Sequence, residues 1–218
     1  MRFGCQPLKV VDMSSQTNQL AQRRTKADFR FKDARLCFSF AATLGDRGKP
    51  QPYERLVRPA DLARWCLKSG GVGALPSCSG LDLVRAKELR EAIQRIGVAI
   101  ATKEPTDPND VAIVNRAAAK PPLVPELRPN GESKRWVGNG VNAVLSWVAR
   151  DLISLCASPL RVRIRMCENP TCGVPFVDTS RAGERRWCSM STCGALAKKR
   201  AYRTRLRSPA AESVPRPS

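Results

Sequence analysis

The stretch Cys167 to Arg207, CENPTCGVPFVDTSRAGERRWCSMSTCGALAKKRAYRTRLR, decides how the rest of the chain is read. It holds two cysteine pairs of equal spacing, Cys167 with Cys172 and Cys188 with Cys193, with four residues inside each pair and fifteen between the pairs. Short turns of small and polar residues let two sulfurs converge on one ion, and two such turns complete a tetrahedral four-thiolate shell. The spacing therefore predicts one structural zinc ion (Zn2+). A closed shell leaves no position for water or substrate, which speaks against catalysis by the metal. The metal's binding energy would fold a segment too short for a core of its own. Two disulfides or four buried thiols are the alternative, and the paired spacing without a secretory signal favours zinc.

Charge is concentrated in the same place. The chain has 218 residues and a formal net charge of +19. Between Arg161 and Arg207, twelve basic residues face three acidic ones, so nearly half of the excess lies in this segment. That is how a polyanion-binding surface is built, although a solubilising charged face or attraction to an anionic membrane would show the same excess. No segment has the length or apolarity of a transmembrane span, and the N-terminus lacks a signal-peptide core. A cytoplasmic, nucleoid-associated protein without a membrane partner is expected.

The chain contains no histidine. Ser-His-Asp and Cys-His catalysis, histidine general bases and mixed Cys/His metal sites are thereby excluded. Carboxylates, lysines and free cysteines form no recognisable catalytic constellation, so a non-enzymatic protein is expected. Cys5, Cys37, Cys66, Cys78 and Cys156 form no knuckle, and the last four sit in apolar contexts that suit buried small hydrophobes.

Upstream, residues 1–27 read as a disordered arm in which Met13 is a second candidate start. An aromatic-rich run, Phe29 to Phe40, suggests a hairpin feeding a short helix or turn. Arg58-Pro59-Ala60-Asp61 opens a helix with Leu62, Trp65 and Cys66 on one side. Ser79-Gly80-Leu81-Asp82 is a capping box for a long helix, whose expected stripe is Leu81, Val84, Leu89, Ile93, Ile96 and Ile100. Asp107-Pro108-Asn109-Asp110 opens another through Val111, Val114 and Ala118. Pro129-Asn130-Gly131 predicts a hairpin of Leu123–Leu127 with Lys134–Val137. A further helix carries Val141, Val144, Leu145, Val148, Leu152, Leu155 and Cys156.

Leu160 to Met166 alternates apolar residues with Arg161, Arg163 and Arg165, which predicts a strand leading into the first knuckle. Val174–Val177 and Arg185–Trp187 are expected to pair as the finger's hairpin. From about Cys193 to Leu206 a helix is expected, with Lys199, Arg203 and Arg207 on one face and Arg200 beside them. Candidate nucleic-acid contacts are Arg185, Arg186, Lys198, Lys199, Arg200, Arg203, Arg205 and Arg207. Few aromatics in this segment, Phe176, Trp187 and Tyr202, argue against single-strand stacking as the main mode.

The two cysteine pairs, with Phe176, Asp178, Ser180, Arg185-Arg186-Trp187-Cys188-Ser189-Met190 and Gly194 before a basic helix, resemble the CGNR zinc finger of bacterial regulators predicted to act in stress-induced transcription. Leu36-Cys37, Glu54-Arg55-Leu56, Pro59-Ala60-Asp61-Leu62, Leu89-Arg90-Glu91-Ala92 and Pro122-Leu123-Val124-Pro125 resemble the ABATE domain that accompanies this finger. The resemblance covers roughly Phe29 to Arg207 and implies a DNA-binding transcriptional regulator with an N-terminal α-rich domain that could take a small-molecule effector. Two departures stand out. The finger's Asn-Arg after Cys-Gly is Ala195-Leu196, and the motif written Leu-Asp-Phe-x-Asn-Thr is Phe38-Ser39-Phe40-Ala41-Ala42-Thr43.

The resulting expectation is an α+β, mostly α protein: a helix-rich N-terminal domain with short β-hairpins over 28–158, a four-cysteine finger of hairpin and helix over 159–207, and a disordered tail over 208–218. Its partner is nucleic acid, with duplex DNA expected first. An RNA- or ribosome-associated zinc protein is the first alternative, and an enzyme with a site in the N-terminal domain is the second.

Overall fold

A computed structural model describes residues 29, 31, 35–138 and 140–207. The expected arm, with Cys5 and Met13, and the expected tail lie outside the described residues. The elements are α1 (Leu36–Ala41), β1 (Leu44–Gly45), β2 (Tyr53–Glu54), α2 (Pro59–Lys68), α3 (Gly80–Thr102), α4 (Pro108–Ala118), β3 (Val124–Leu127), β4 (Lys134–Val137), α5 (Gly140–Cys156), β5 (Ile164–Met166), β6 (Pro175–Val177) and α6 (Ala195–Arg207). The strands form three separate antiparallel pairs, β1–β2, β3–β4 and β5–β6.

Helix α3 is the axis of the molecule. Its start is set by the expected capping box: Asp82 N–H donates to Ser79 Oγ at 3.1 Å and Ser79 N–H donates to Asp82 Oδ2 at 2.9 Å. Its end is set by Lys103 in the left-handed region, φ 62°. Between them, Leu83, Ala86, Leu89, Ile93 and Ile96 recur at helical spacing and are buried, and α1, α2, α4, α5 and the β5–β6 pair all pack on this helix. The expected stripe is corrected at its start, because Leu81 and Val84 are 57% and 62% exposed. They lie one face around from Leu83 and Ala86, in the first turns of the helix.

Phe38, Phe40, Leu56, Leu62, Trp65, Ile93, Val144, Val148, Leu152 and Leu155 fill the core at 0–1% exposure. Each such side chain stabilises the fold by about 1.5–3 kcal/mol relative to leaving it in water. Cys37 and Cys66 are fully buried within this cluster, with Cys78 and Cys156 at its margin. One ion network crosses the core. Arg90, 3% exposed, forks onto Glu54 at 2.7 and 2.9 Å and reaches Glu91 at 2.8 Å, and Arg47 takes Glu91 at 2.7 Å. A buried guanidinium is tolerated only with such partners. Burial alone would raise the Glu54 and Glu91 carboxyls, but the arginines hold both below their ordinary value.

The second half of the aromatic run is the helix α1, much of its first half lies outside the described residues, and the strand pair comes later, Leu44 opposite Glu54 and Gly45 opposite Tyr53. The turn between them is shaped by Asp46, φ 55°, whose carbonyl accepts from Lys49 N–H at 2.9 Å. The hairpin at Asn130-Gly131 forms as expected, Val124 opposite Val137 through Leu127 opposite Lys134.

Two expectations near the finger are overturned. Pro159–Arg163 is a 3-10 turn rather than a strand, and only Ile164–Met166 is extended. Ser158 Oγ accepts from Leu160 N–H and Pro159 opens the turn, so a local cap wins over alternation, and Val162 is left 84% exposed. The partner of β6 is β5, not Arg185–Trp187: Ile164 pairs with Val177 and Met166 with Pro175. The first knuckle is itself the turn of this ribbon, closed by Cys167 N–H donating to Val174 O at 3.2 Å.

The ribbon joins finger and helices. Ile164 and Val177 belong to the helical core, while Phe176, pointing the other way, belongs to a small cluster with Cys167 and Cys193. Gln94 Nε2 of α3 donates to Gly173 O at 2.6 Å. Gly97 permits the approach, since a Cβ there would meet Pro175 at 2.7 Å and Phe38 at 2.8 Å. No helix among the described residues is long and apolar enough to cross a membrane.

Candidate metal centre and nucleic-acid face

The Sγ atoms of Cys167, Cys172, Cys188 and Cys193 lie within 4.8 Å of one another. Cys172 and Cys188 are 3.7 Å apart and Cys188 and Cys193 are 3.6 Å apart. Zn–S bonds of about 2.3 Å in a tetrahedron place sulfurs about 3.8 Å apart. The four thiols thus fit one structural zinc ion and use all four of its positions.

Each knuckle is a locally dictated turn. In the first, Cys172 N–H donates to Asn169 O at 2.8 Å and Gly173 turns the chain at φ +64°. In the second, Gly194 N–H donates to Ser189 O at 3.0 Å, which closes a wide π-type turn, Met190–Gly194, leading straight into α6. Backbone and side-chain donors reach the sulfurs: Cys188 N–H points to Cys167 Sγ at 3.5 Å, and Asn169 Nδ2 points to Cys193 Sγ at 3.4 Å. Hydrogen bonding among the four thiols pulls Cys193 far down and Cys167 to about 7, and pushes Cys172 and Cys188 up. A divalent cation at their centre favours the thiolate in all four.

Two residues outside the expected site hold it in shape. Asn169, 4% exposed, donates to Cys193 Sγ and accepts from Arg200 Nη1 at 3.2 Å, so it ties both knuckles to α6. Such outer partners orient ligands and tune the metal. Asp178, 1% exposed, accepts from Ser180 N–H at 2.9 Å, Ser180 Oγ at 2.6 Å and Arg185 N–H at 2.8 Å, with Arg165 at 3.8 Å. Burial alone would raise its carboxyl, but the Ser180 hydroxyl, the two amides and Arg165 hold it at about 2. An asparagine inside a knuckle and an aspartate two residues before a serine are Asx-turn signals that a search for ligands passes over.

The candidate contacts divide into two groups. Arg185 is engaged inside the finger: its Nε donates to Trp187 O at 3.1 Å, its Nη2 to Cys188 O at 2.6 Å, and its guanidinium sits 5.1 Å from the Phe176 ring. Arg186 pairs with Glu168 and lies over Trp187, and Arg200 braces Asn169. Lys198, Lys199, Arg203 and Arg205 are exposed on α6 and make no ion pair among the described residues. The side chain of Arg207 lies outside the description. Among the described residues α6 packs chiefly on the second knuckle, and every one of them from Lys198 to Leu206 is exposed.

Residues 34–159 match the ABATE family, whose description reads "putative stress-induced transcription regulator". The chain belongs to the ABATE family. Residues 163–206 match the CGNR zinc finger. In this ABATE protein the boundary between the two matches falls in the 3-10 turn, where the chain leaves α5 and enters β5. No curated protein matches the chain.

Proposed function

We propose that this protein is a non-enzymatic, zinc-stabilised DNA-binding transcriptional regulator acting in the cytoplasm at the nucleoid. The observation that carries this reading is α6. Its thirteen residues include Lys198, Lys199, Arg200, Arg203, Arg205 and Arg207 and no acidic residue. Like charges at i,i+4, such as Lys199 and Arg203, destabilise an isolated helix, and a helix exposed all round from Lys198 to Leu206 gains little from the core. A polyanion relieves the first and supplies the second. Helix dimensions suit the major groove of a duplex, and the zinc shell fixes the angle at which α6 leaves the body. The finger's role is thus to aim a basic helix rather than to react. The family description supports regulation, with stress as its setting.

Binding of the zinc-loaded chain to duplex DNA is the test. Affinity should fall with salt at a log-log slope of about −0.9 per neutralised phosphate. Lys199→Ala with Arg203→Ala should reduce that slope by about two phosphates' worth, without loss of zinc. Both residues are exposed and outside the brace made by Asn169 and Arg200. Tighter binding to structured RNA than to duplex DNA at physiological salt would overturn the DNA reading in favour of an RNA partner.

A further inference from the structure

Helices α4 and α5 are tied together at one end and leave a cavity at the other. At the tied end, Arg150 Nε and Ser146 Oγ of α5 donate to Ala118 O at 2.9 and 3.2 Å. At the opposite end, a cavity of about 430 Å³ lies between the start of α4, the end of α5 and the last turns of α3. Small-molecule sites run from about 300 to 1,000 Å³, so this space is large enough for one. None of its lining belongs to the thiol cluster of the finger.

The lining shows what the space suits. Ile96 and Ile100 of α3, Val111 and Val114 of α4, and Leu152 and Ile153 of α5 make it aliphatic. Val111 and Ile153 are 39% and 40% exposed, so part of this apolar surface is left to solvent, and covering it is favourable. No aromatic ring lines the cavity, and an aliphatic guest forgoes no ring contact there. The one charged side chain in the lining is Arg161, and no carboxylate lines it. Thr106, Asn115 and Cys156 complete the polar lining, and burial pushes the Cys156 thiol up, which keeps it neutral. Arg161 makes no ion pair among the described residues, not even with Glu104, which shares a neighbouring cavity with it. A guanidinium presents a planar fork of donors that matches a carboxylate. An aliphatic cleft with one unpaired guanidinium and no acid therefore selects an amphiphile with a single negative end.

We propose that this cavity binds a small aliphatic monocarboxylate, of the medium-chain fatty-acid class. Its chain lies between α4 and α5 over Ile96 and Ile100, and its carboxylate meets Arg161. Arg161 belongs to the 3-10 turn through which α5 passes into β5, so the guest joins the helical domain to the segment that enters the finger. The site rests on its own lining and not on what α6 binds.

The test is equilibrium dialysis of the zinc-loaded full chain against octanoate, hexanoate and 1-octanol. Octanoate should saturate at one molecule per chain, and hexanoate, two methylene groups shorter, should bind about tenfold more weakly. Arg161→Gln should weaken octanoate by about threefold to tenfold and leave 1-octanol unchanged. Filling the cavity from either side, by Val111→Phe or by Ala157→Phe, should abolish octanoate binding at unchanged zinc content. Two sides are used so that one misfolded variant does not decide the outcome. Cys156 gives a local readout: octanoate should slow its alkylation and leave that of Cys78, near the opposite end of α3, unchanged. Absence of saturable binding, undiminished binding in a folded filled variant, or unslowed alkylation of Cys156 would each overturn the proposal. So would equal affinities for octanoate and hexanoate, the mark of general attraction to a basic surface, or equal affinities for octanoate and 1-octanol. None of these outcomes bears on the nucleic-acid reading, which is tested by duplex binding.

Discussion

The ribbon β3–β4 has four residues in each strand and a turn built from Pro129, Asn130 and Gly131, yet seven of its eight strand residues are exposed. The ribbon β5–β6 has three residues in each strand and a metal knuckle for a turn, yet all of β6 is buried. A lone two-stranded ribbon is marginal in water whatever its turn. The difference lies in what each face can cover. β3–β4 leans on the body through one ring contact, Trp136 on Trp147 at 5.1 Å. β5–β6 puts Val177 into the helical core and Phe176 against the thiol cluster, so one short strand serves two cores.

Removing the metal is the sharpest way to break this comparison. Cys188→Ser, or chelation, should abolish zinc binding and lose the finger's fold, since a structural zinc supplies about 10–16 kcal/mol in isolated finger peptides. If β5–β6 belongs to both cores, the amides of Arg165 and Phe176, which exchange the ladder's hydrogen bonds, should stay more protected from hydrogen exchange than those of Cys172 and Cys193. Equal exchange at all four would show that the ribbon depends on zinc alone.

Phe176→Ala comes next. It deletes a ring with 0% exposure and should cost about 3–5 kcal/mol by denaturant unfolding. A cost below about 1 kcal/mol would mean that the finger's small core is dispensable once zinc is bound.

Asp178→Asn should cost about 1–3 kcal/mol, because an amide cannot accept all the bonds the carboxylate takes. In the folded chain the pKa of Asp178 falls from its ordinary 3.8 to about 2. Its contribution is therefore full above about pH 4 and fades as pH falls through 4 toward 2. The stability gap between the natural chain and the Asp178→Asn variant, measured at matched zinc content, should narrow over that window and stay constant above it. The smallest effect belongs to β3–β4: Val124→Ala, at a residue 56% exposed, should change stability by less than about 0.5 kcal/mol. A larger loss would mean that this ribbon is covered in solution.

Features written in local chemistry were legible in the chain. The capping box at Ser79, the Asn130-Gly131 turn and the paired cysteines each act through neighbours a few residues away. The structure bears out the expectation of one structural zinc and the mostly helical α+β class, and it brings the four expected cysteines within 4.8 Å of one another. What was misread needed distant partners or a competing local bond. Alternation over Leu160–Met166 lost to the Ser158 cap. The sequence pattern points downstream, to Arg185–Trp187, for the partner of β6, although Cys167–Cys172 already closes a hairpin with the residues upstream. Arg185 looked like surface charge because nothing in its spacing shows that Phe176 and the Cys188 carbonyl await it.

The sharing of β6 also imposes a timetable on synthesis. Seventy-five residues separate Thr102, the end of α3, from Val177. A ribosome adds about 5–20 residues per second, so the face of α3 that receives Ile164 and Val177 waits roughly 4–15 s for them. During that interval the nascent helices present an apolar seam to whatever is nearby, and Gln94 has no Gly173 to bond. Cys167 and Cys172 emerge before Cys188 and Cys193, which makes capture of the ion the closing event of assembly. A cell short of zinc would therefore accumulate chains whose helices are formed but whose seam is not sealed, a form open to proteases and chaperones.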